Sequence, residues 1–192
     1  GVSSIGIDWF VDKIADKIDG KTSLVILTKG LSIVNKKLST ISDKIKIMLI
    51  EKGIEFINIS AIKGPCLAAG LANRIRTSTL IASPNIAEAK KLQKIISTDY
   101  YSTEISEDLN GVELSGAIKN IYSMIIGASE GLSSSSAKSE VKSKYFHNTS
   151  ASLIHKSISE MAKFVKHYGG KSDTVLGSAD GLTTSMSRSL VM

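Results

Sequence analysis

Cysteine is almost absent from this sequence. Cys66 stands alone, so neither an intrachain disulfide nor a zinc site built from cysteine pairs is available. The three histidines, His147, His155 and His167, show no HExxH or comparable ligand spacing, so no metal site is expected. Proline occurs only twice, which argues against extended disorder in a chain with 15 glycines. Arginine occurs only at 74, 76 and 188, and aromatics make up 5%. Nucleic-acid readers lean on arginine clusters and exposed aromatic rings, so the net charge of +6, carried mainly by lysine, points to a solvated surface and not to a nucleic-acid partner. The same basic balance suits an anionic small molecule such as a phosphate ester. No apolar run approaches the ~18 residues that would span a membrane, and no signal peptide opens the chain. The expectation is a soluble, cytoplasmic protein with no membrane partner.

What is present is enough apolar material, 42% of 192 residues, for one large or two small domains. Ser3 or Ser4 is placed to cap a helix whose stripe is Ile7, Phe10, Val11, Ile14 and Ile18, stopped by Asp19-Gly20. Leu24–Leu27 reads as a strand buried on both faces and ends in Thr28-Lys29-Gly30. From Leu31 to Glu51 the pattern is ambiguous, and Ile45–Ile50 fits a strand or the end of a helix. Phe56–Ile62 alternates as a strand and leads into Lys63-Gly64-Pro65, followed by a short helix over Cys66–Asn73. Ser78–Ala82 is a further strand. Ser83-Pro84 opens a helix with proline in its first turn, and Ile86, Ala89, Leu92 and Ile96 form its buried face. Asp99–Glu104 is the last strand. This alternation predicts an α/β sheet with parallel character over residues 1–105. Residues 106–192 read as all-α: a helix over Ser106–Gly131, a polar loop over Leu132–Ser139, a helix over Thr149–Tyr168 ended by Gly169-Gly170, then a short helical piece and a polar tail. No internal repeat is visible.

The chemistry-bearing positions are few. Lys119 and Asn120 interrupt an apolar, small-residue helix surface, with Ser115 and Gly116 one turn before and Ser123 one turn after. A partly buried lysine there loses proton affinity and can trade protons near neutral pH; an ordinary lysine snorkelling from its helix is the plainer alternative. Lys29-Gly30 stands at the carboxyl end of a buried strand, where open α/β sheets place ligands, although a solvated loop lysine fits as well. Gly64-Pro65 occupies the same edge after the next strand. Asp180 and Thr184 share a helical face, and Asp180 could pair with Lys119 or simply be an exposed helix-start aspartate. Ser187-Arg188-Ser189 offers a fork of donors flanked by hydroxyls, which suits a phosphate as well as it suits a surface. Cys66, His147 and His155 read as structural.

Taken in order, these segments resemble the NAD(P)-dependent glycerol-3-phosphate dehydrogenase family from Gly1 to about Thr184. Thr28-Lys29-Gly30-Leu31 is similar to its Lys-Gly turn, and Gly64-Pro65-Cys66-Leu67-Ala68 to its Gly-Pro-Ser-x-Ala motif. Ser97–Tyr101 resembles the Ser-Thr-x-Tyr-Phe strand that closes the first domain. Gly111–Asn120 resembles the signature Gly-x-Glu-x-x-Gly-Ala-Leu-Lys-Asn. Asn148 with Glu160-Met161, and Gly169-Gly170 with Ala179-Asp180 and Thr184, resemble later family segments. The resemblance implies the rear part of a Rossmann domain followed by an incomplete all-α substrate domain, like the C-terminal domain of 6-phosphogluconate dehydrogenase. It implies NAD or NADP as cofactor, a small phosphorylated substrate and a homodimer. Lys119 matches the family's proton acceptor and donor, Lys29 a residue touching cofactor and substrate, and Asp180 a substrate-site aspartate beside the catalytic lysine. Gly64, Cys66 and Thr184 match substrate positions, and Ala68 a cofactor contact. Ser187, Arg188 and Ser189, with Asn120 nearby, match the substrate-phosphate site, Arg188 standing also among the cofactor contacts.

The sequence departs from the family pattern at four places. Gly70 stands where the family has Glu, Cys66 replaces Ser, and Ser189 stands where Asn is expected after a shortened Asp-to-Arg spacing. No three glycines fit GxGxxG, the family's pyrophosphate turn. The expectation is therefore a fragment lacking the N-terminal half and the C-terminal helices, or a short paralogue. Two rival readings remain: a related 2-keto or 3-hydroxy acid dehydrogenase, and a non-catalytic remnant that binds a phosphorylated metabolite or a partner subunit.

Overall fold

The computed structural model describes residues 2–55, 57–64, 66–135 and 140–176. A 3-10 turn, Ser4–Gly6, leads into α1 (Ile7–Ile14). Neither Ser3 nor Ser4 acts as the expected cap, because the 3-10 turn puts Gly6 at the helix N-cap. The helix also ends five residues before Asp19, which instead closes a turn by accepting from Lys21 N and Thr22 Oγ1. Then follow β1 (Ser23–Ile26), β2 (Leu31–Val34), β3 (Lys37–Thr40), α2 (Ile41–Glu51) and β4 (Asn58–Lys63). After them come α3 (Ala68–Ala72), β5 (Thr77–Ala82), α4 (Ile86–Ile96), β6 (Tyr101–Ser106), α5 (Leu109–Ser135), α6 (Glu140–His167) and α7 (Ser172–Leu176).

The four-stranded sheet has the order β1-β4-β5-β6. β1 with β4 and β5 with β6 are parallel, the parallel character expected, whereas β4 with β5 is antiparallel. The ambiguous stretch after Leu31 holds a separate hairpin, β2–β3, and the helix α2. Asn35 and Lys36 turn the hairpin with φ of 50° and 61°, the left-handed pair that a two-residue primed turn requires. Thr40 then caps α2, its side chain accepting from Asp43 N. Pro84 lies ahead of its helix and not in the first turn: Asn85 is the N-cap of α4, accepting from Ala87 N.

Two hydrophobic cores follow from these elements. In the first, α1 and α2 lay Ile7, Val11, Ile41, Ile45 and Leu49 against Ile26 of β1 and Ile59 of β4. Each such side chain contributes about 1.5–3 kcal/mol on burial. In the second, α5, α6 and α7 enclose Leu114, Ile118, Ile126, Met161, Val165 and Val175. Leu109 and Val112 at the start of α5 pack on Leu80 and Ala82 of β5, so the helices are seated directly on the sheet. Leu132–Ser135, expected as part of a polar loop, is helical: α5 continues through Ser135, and α6 begins at Glu140, before Thr149. Serine disfavours a helix interior only weakly, and a long helix already propagating past it continues. Gly169-Gly170 ends α6 as expected. Gly169, at φ 88°, donates to Lys166 O, and Gly170 donates to Val165 O at 2.9 Å, the paired bonds of a Schellman cap.

Candidate active site

β1 and β4 run side by side in the same direction, so the residues that follow them emerge at one edge of the sheet. Lys29 and Gly30 follow β1, and Gly64 follows β4. Position 64 has no room for a side chain: a methyl there would stand 2.8 Å from Thr79 Oγ1 and 3.0 Å from Thr79 Cα. The close approach is sealed by Thr79 Oγ1, which donates to Lys63 O at 2.8 Å. Cys66 is half-buried beyond Gly64, and Ala68 is exposed as the first residue of α3. Lys29 is exposed.

α5 supplies the other side. Lys119 lies half-buried in its middle and Asn120 beside it is exposed. Gly116, one turn before Lys119, packs on the stem of Lys63: a methyl at 116 would lie 3.6 Å from Lys63 Cδ. Residues three apart share a helix side, so Lys119 stands one turn further along the side of α5 that meets the end of β4. Lys29, Gly64 and the Gly116–Lys119 turn thus belong to one region where sheet edge and helix meet. Asp180, Thr184, Ser187, Arg188 and Ser189 lie outside the described residues.

Two charged groups here were not picked out from the sequence as site residues. Lys63 is 6% exposed, and its ammonium donates to Thr28 O. Glu113, 2% exposed, accepts from the hydroxyl of Ser42 and, at 3.2 Å, from Ser42 N. Its Oε1 has no hydrogen bond among the described residues. Burial pulls the Lys63 ammonium below its ordinary pKa, and nearby Lys29 adds to this, while the Glu113 charge opposes it. Burial pushes the Glu113 carboxyl up, against the Ser42 contacts and the charge of Lys63. The alternation of β4 was the available signal: Ile59, Ala61 and Lys63 fall on one face, and Ile59 is core.

Burial of the Glu113 carboxyl, which raises its pKa, makes folding stability depend on acid. The folded carboxyl keeps its proton at a pH where the unfolded one, near 4.5, has lost it. Its charge therefore weighs against folding above the folded pKa, and that penalty disappears as the pH falls. Measured by urea unfolding, the wild type should gain stability relative to Glu113→Gln between pH 7 and pH 4.5. A relative loss on acidification would instead make Glu113 a net stabilising anion. Among the described residues no cluster of His, Cys, Asp and Glu could hold a metal ion, and no helix is long and apolar enough to cross a membrane.

Comparison with known proteins matches both halves of the chain to one family. The model described as NAD-dependent glycerol-3-phosphate dehydrogenase N-terminus matches residues 1–89, and its C-terminus counterpart matches residues 108–189. An NADP(+)-dependent glycerol-3-phosphate dehydrogenase of Archaeoglobus fulgidus is 28% identical over 180 residues, covering 92% of this chain and 50% of the relative. A glycerol-3-phosphate dehydrogenase [NAD(P)+] of Legionella pneumophila is 32% identical over 154 residues, 79% of this chain and 43% of the relative. The crystal structure of glycerol-3-phosphate dehydrogenase from Coxiella burnetii superposes with a TM-score of 0.75 at 27% identity, over 93% of this chain and 49% of that one. The chain spans about half the length of the curated relatives it matches. With the fold and both halves of the sequence in agreement, the chain belongs to the NAD(P)-dependent glycerol-3-phosphate dehydrogenase family.

Proposed function

We propose that this protein is an NAD(P)-dependent glycerol-3-phosphate dehydrogenase, interconverting glycerol 3-phosphate and dihydroxyacetone phosphate. Residues 1–105 would serve the dinucleotide and residues 106–192 the substrate. The observation that supports this most is the meeting of Lys29 and Gly64, after parallel strands β1 and β4, with the Gly116–Lys119 turn of α5. In open α/β sheets that edge is where ligands bind.

The residues at hand suit the nicotinamide end of a dinucleotide better than its pyrophosphate. Lys29, Gly64 and Ala68 line the sheet edge, while no GxGxxG turn occurs in the sequence. Bound there, the cofactor supplies hydride chemistry. The chain's own share is placement and proton handling. Lys119 exchanges the proton at the substrate C2 oxygen, and Lys29 stabilises negative charge on that oxygen or on the phosphate. Asp180 holds Lys119 charged and in place. Asn120, Thr184 and the run Ser187, Arg188 and Ser189 grip the phosphate, with Gly64 and Cys66 along the substrate, and Arg188 also reaches the cofactor. A homodimer in the cytoplasm completes the reading, on resemblance alone.

The test is oxidation of NADH and NADPH by the full-length protein with dihydroxyacetone phosphate beside a panel of 2-keto acids. Turnover confined to the phosphorylated ketone is expected. Turnover of an unphosphorylated keto acid in its place would reassign the substrate, and no turnover of any would remove the activity.

A further inference from the structure

We propose that Lys63 is the positioning residue for Lys29: by holding the carbonyl of Thr28 against β4 and α5, it fixes the turn from which Lys29 reaches the ligand edge. The proposal rests on the reading of Lys29 as a ligand-contacting residue. Thr28 is tied at both ends. Its Oγ1 donates to Val2 O at 2.7 Å, and its carbonyl oxygen accepts from the Lys63 ammonium. Just beyond Lys29, Gly30 sits at φ 139° with Ser4 Cβ 3.1 Å from where a side chain would begin. That backbone conformation strains any other residue, so the turn is confined on both sides of Lys29.

Lys63 is held firmly enough to act as the fixed end of this tie. Its ammonium belongs to the last residue of β4, and its stem runs along α5 beside Gly116, where a methyl would meet Lys63 Cδ in ordinary contact at 3.6 Å. Glu113, one turn earlier on α5, supplies the opposing charge in this buried region. A serine or threonine at position 63 could not reach as far, and a methionine would reach without a donor. The choice of lysine adds a second effect. Lys29 and Lys63 lie close enough for their charges to repel, and only Lys29 is free to move outward. The buried cation therefore directs the exposed one toward solvent and the ligand, and both raise the positive potential that an anionic substrate meets.

The experiment compares Lys63→Met, Lys29→Met and the double variant in the full-length protein, with dihydroxyacetone phosphate and NADH. Lys63→Met should lower kcat by about 10- to 100-fold, the scale on which small misplacements of an acting group are felt. In the Lys29→Met background the same change should matter by no more than about twofold, because Lys63 acts through Lys29. A similar loss from Thr28→Val, which loosens the same turn from its other end, adds support. Hydrogen exchange of the Thr28–Leu31 amides should accelerate in Lys63→Met, with that of α6 unchanged. An equal loss in both backgrounds would overturn the proposal, as would unchanged exchange in the turn. If the wild type turns over no phosphorylated ketone, the proposed function fails by itself, and the exchange measurement alone decides the role of Lys63.

Discussion

Lys119→Met is expected to lower kcat by about 10²- to 10⁴-fold, the range for loss of a positioned general acid or base. Methionine keeps the length and apolar stem of lysine while removing the proton and the charge. Lys119 is half-buried in the middle of a 27-residue helix, and the turn before it ends in Gly116 against Lys63. A helix seated on the sheet through Leu109 and Val112 gives that turn little freedom to move, so a lost group is not replaced by a neighbour. The effect belongs to the chemical step. The KM for NADH should stay within about twofold, whereas kcat and kcat/KM for dihydroxyacetone phosphate fall together. A kcat within about threefold of wild type would take proton transfer away from Lys119.

Asp108→Ala should cost about 3 kcal/mol of folding free energy in urea unfolding of the full-length protein, the largest single loss expected outside the apolar cores. Asp108 precedes α5 and is 8% exposed. As the N-cap it accepts from Gly111 N at 2.9 Å, a bond worth about 1 kcal/mol in itself. Its other oxygen accepts from Lys171 N at 2.8 Å and from Thr174 Oγ1 at 2.5 Å, which ties the start of α5 to α7. Alanine leaves all three donors without their acceptor, and donors bonded to a charged group lose more than neutral pairs do. Asp108→Asn should fall between the two, since its amide oxygen still serves one donor while its NH₂ faces others. A loss below about 1 kcal/mol would mean that water replaces the carboxylate at this junction.

Much of the chain could be read locally, and the reasons differ from element to element. The continuous apolar run of β1 and the stripe of α4 stand out from their neighbours, so they were recognisable locally. The hairpin β2–β3 was not. Its strands are four residues each, and Asn35-Lys36 makes a left-handed turn without the glycine that announces one. The extension of α5 through Ser135 was missed because weak local preference yields to an existing helix. The direction of β4 against β5 leaves no mark on either strand, because alternation is the same whichever way the neighbour runs.

The candidate site divides in the same way. The sequence alone determined which segments carry the family's motifs, and so pointed to Lys29, Gly64, Lys119 and Asn120, because lysines and glycines placed in apolar, small-residue stretches stand out locally. The tertiary structure alone decided which charges are buried together and what they hold. Lys63 meets Thr28 across 35 positions, Ser42 meets Glu113 across 71, and Asp108 meets Lys171 across 63. Each is an ordinary polar residue in its own segment. Only the packing of α5 on the sheet removes water from Lys63 and Glu113, and it is the loss of water that turns a lysine and a glutamate into structural and electrostatic parts of the site.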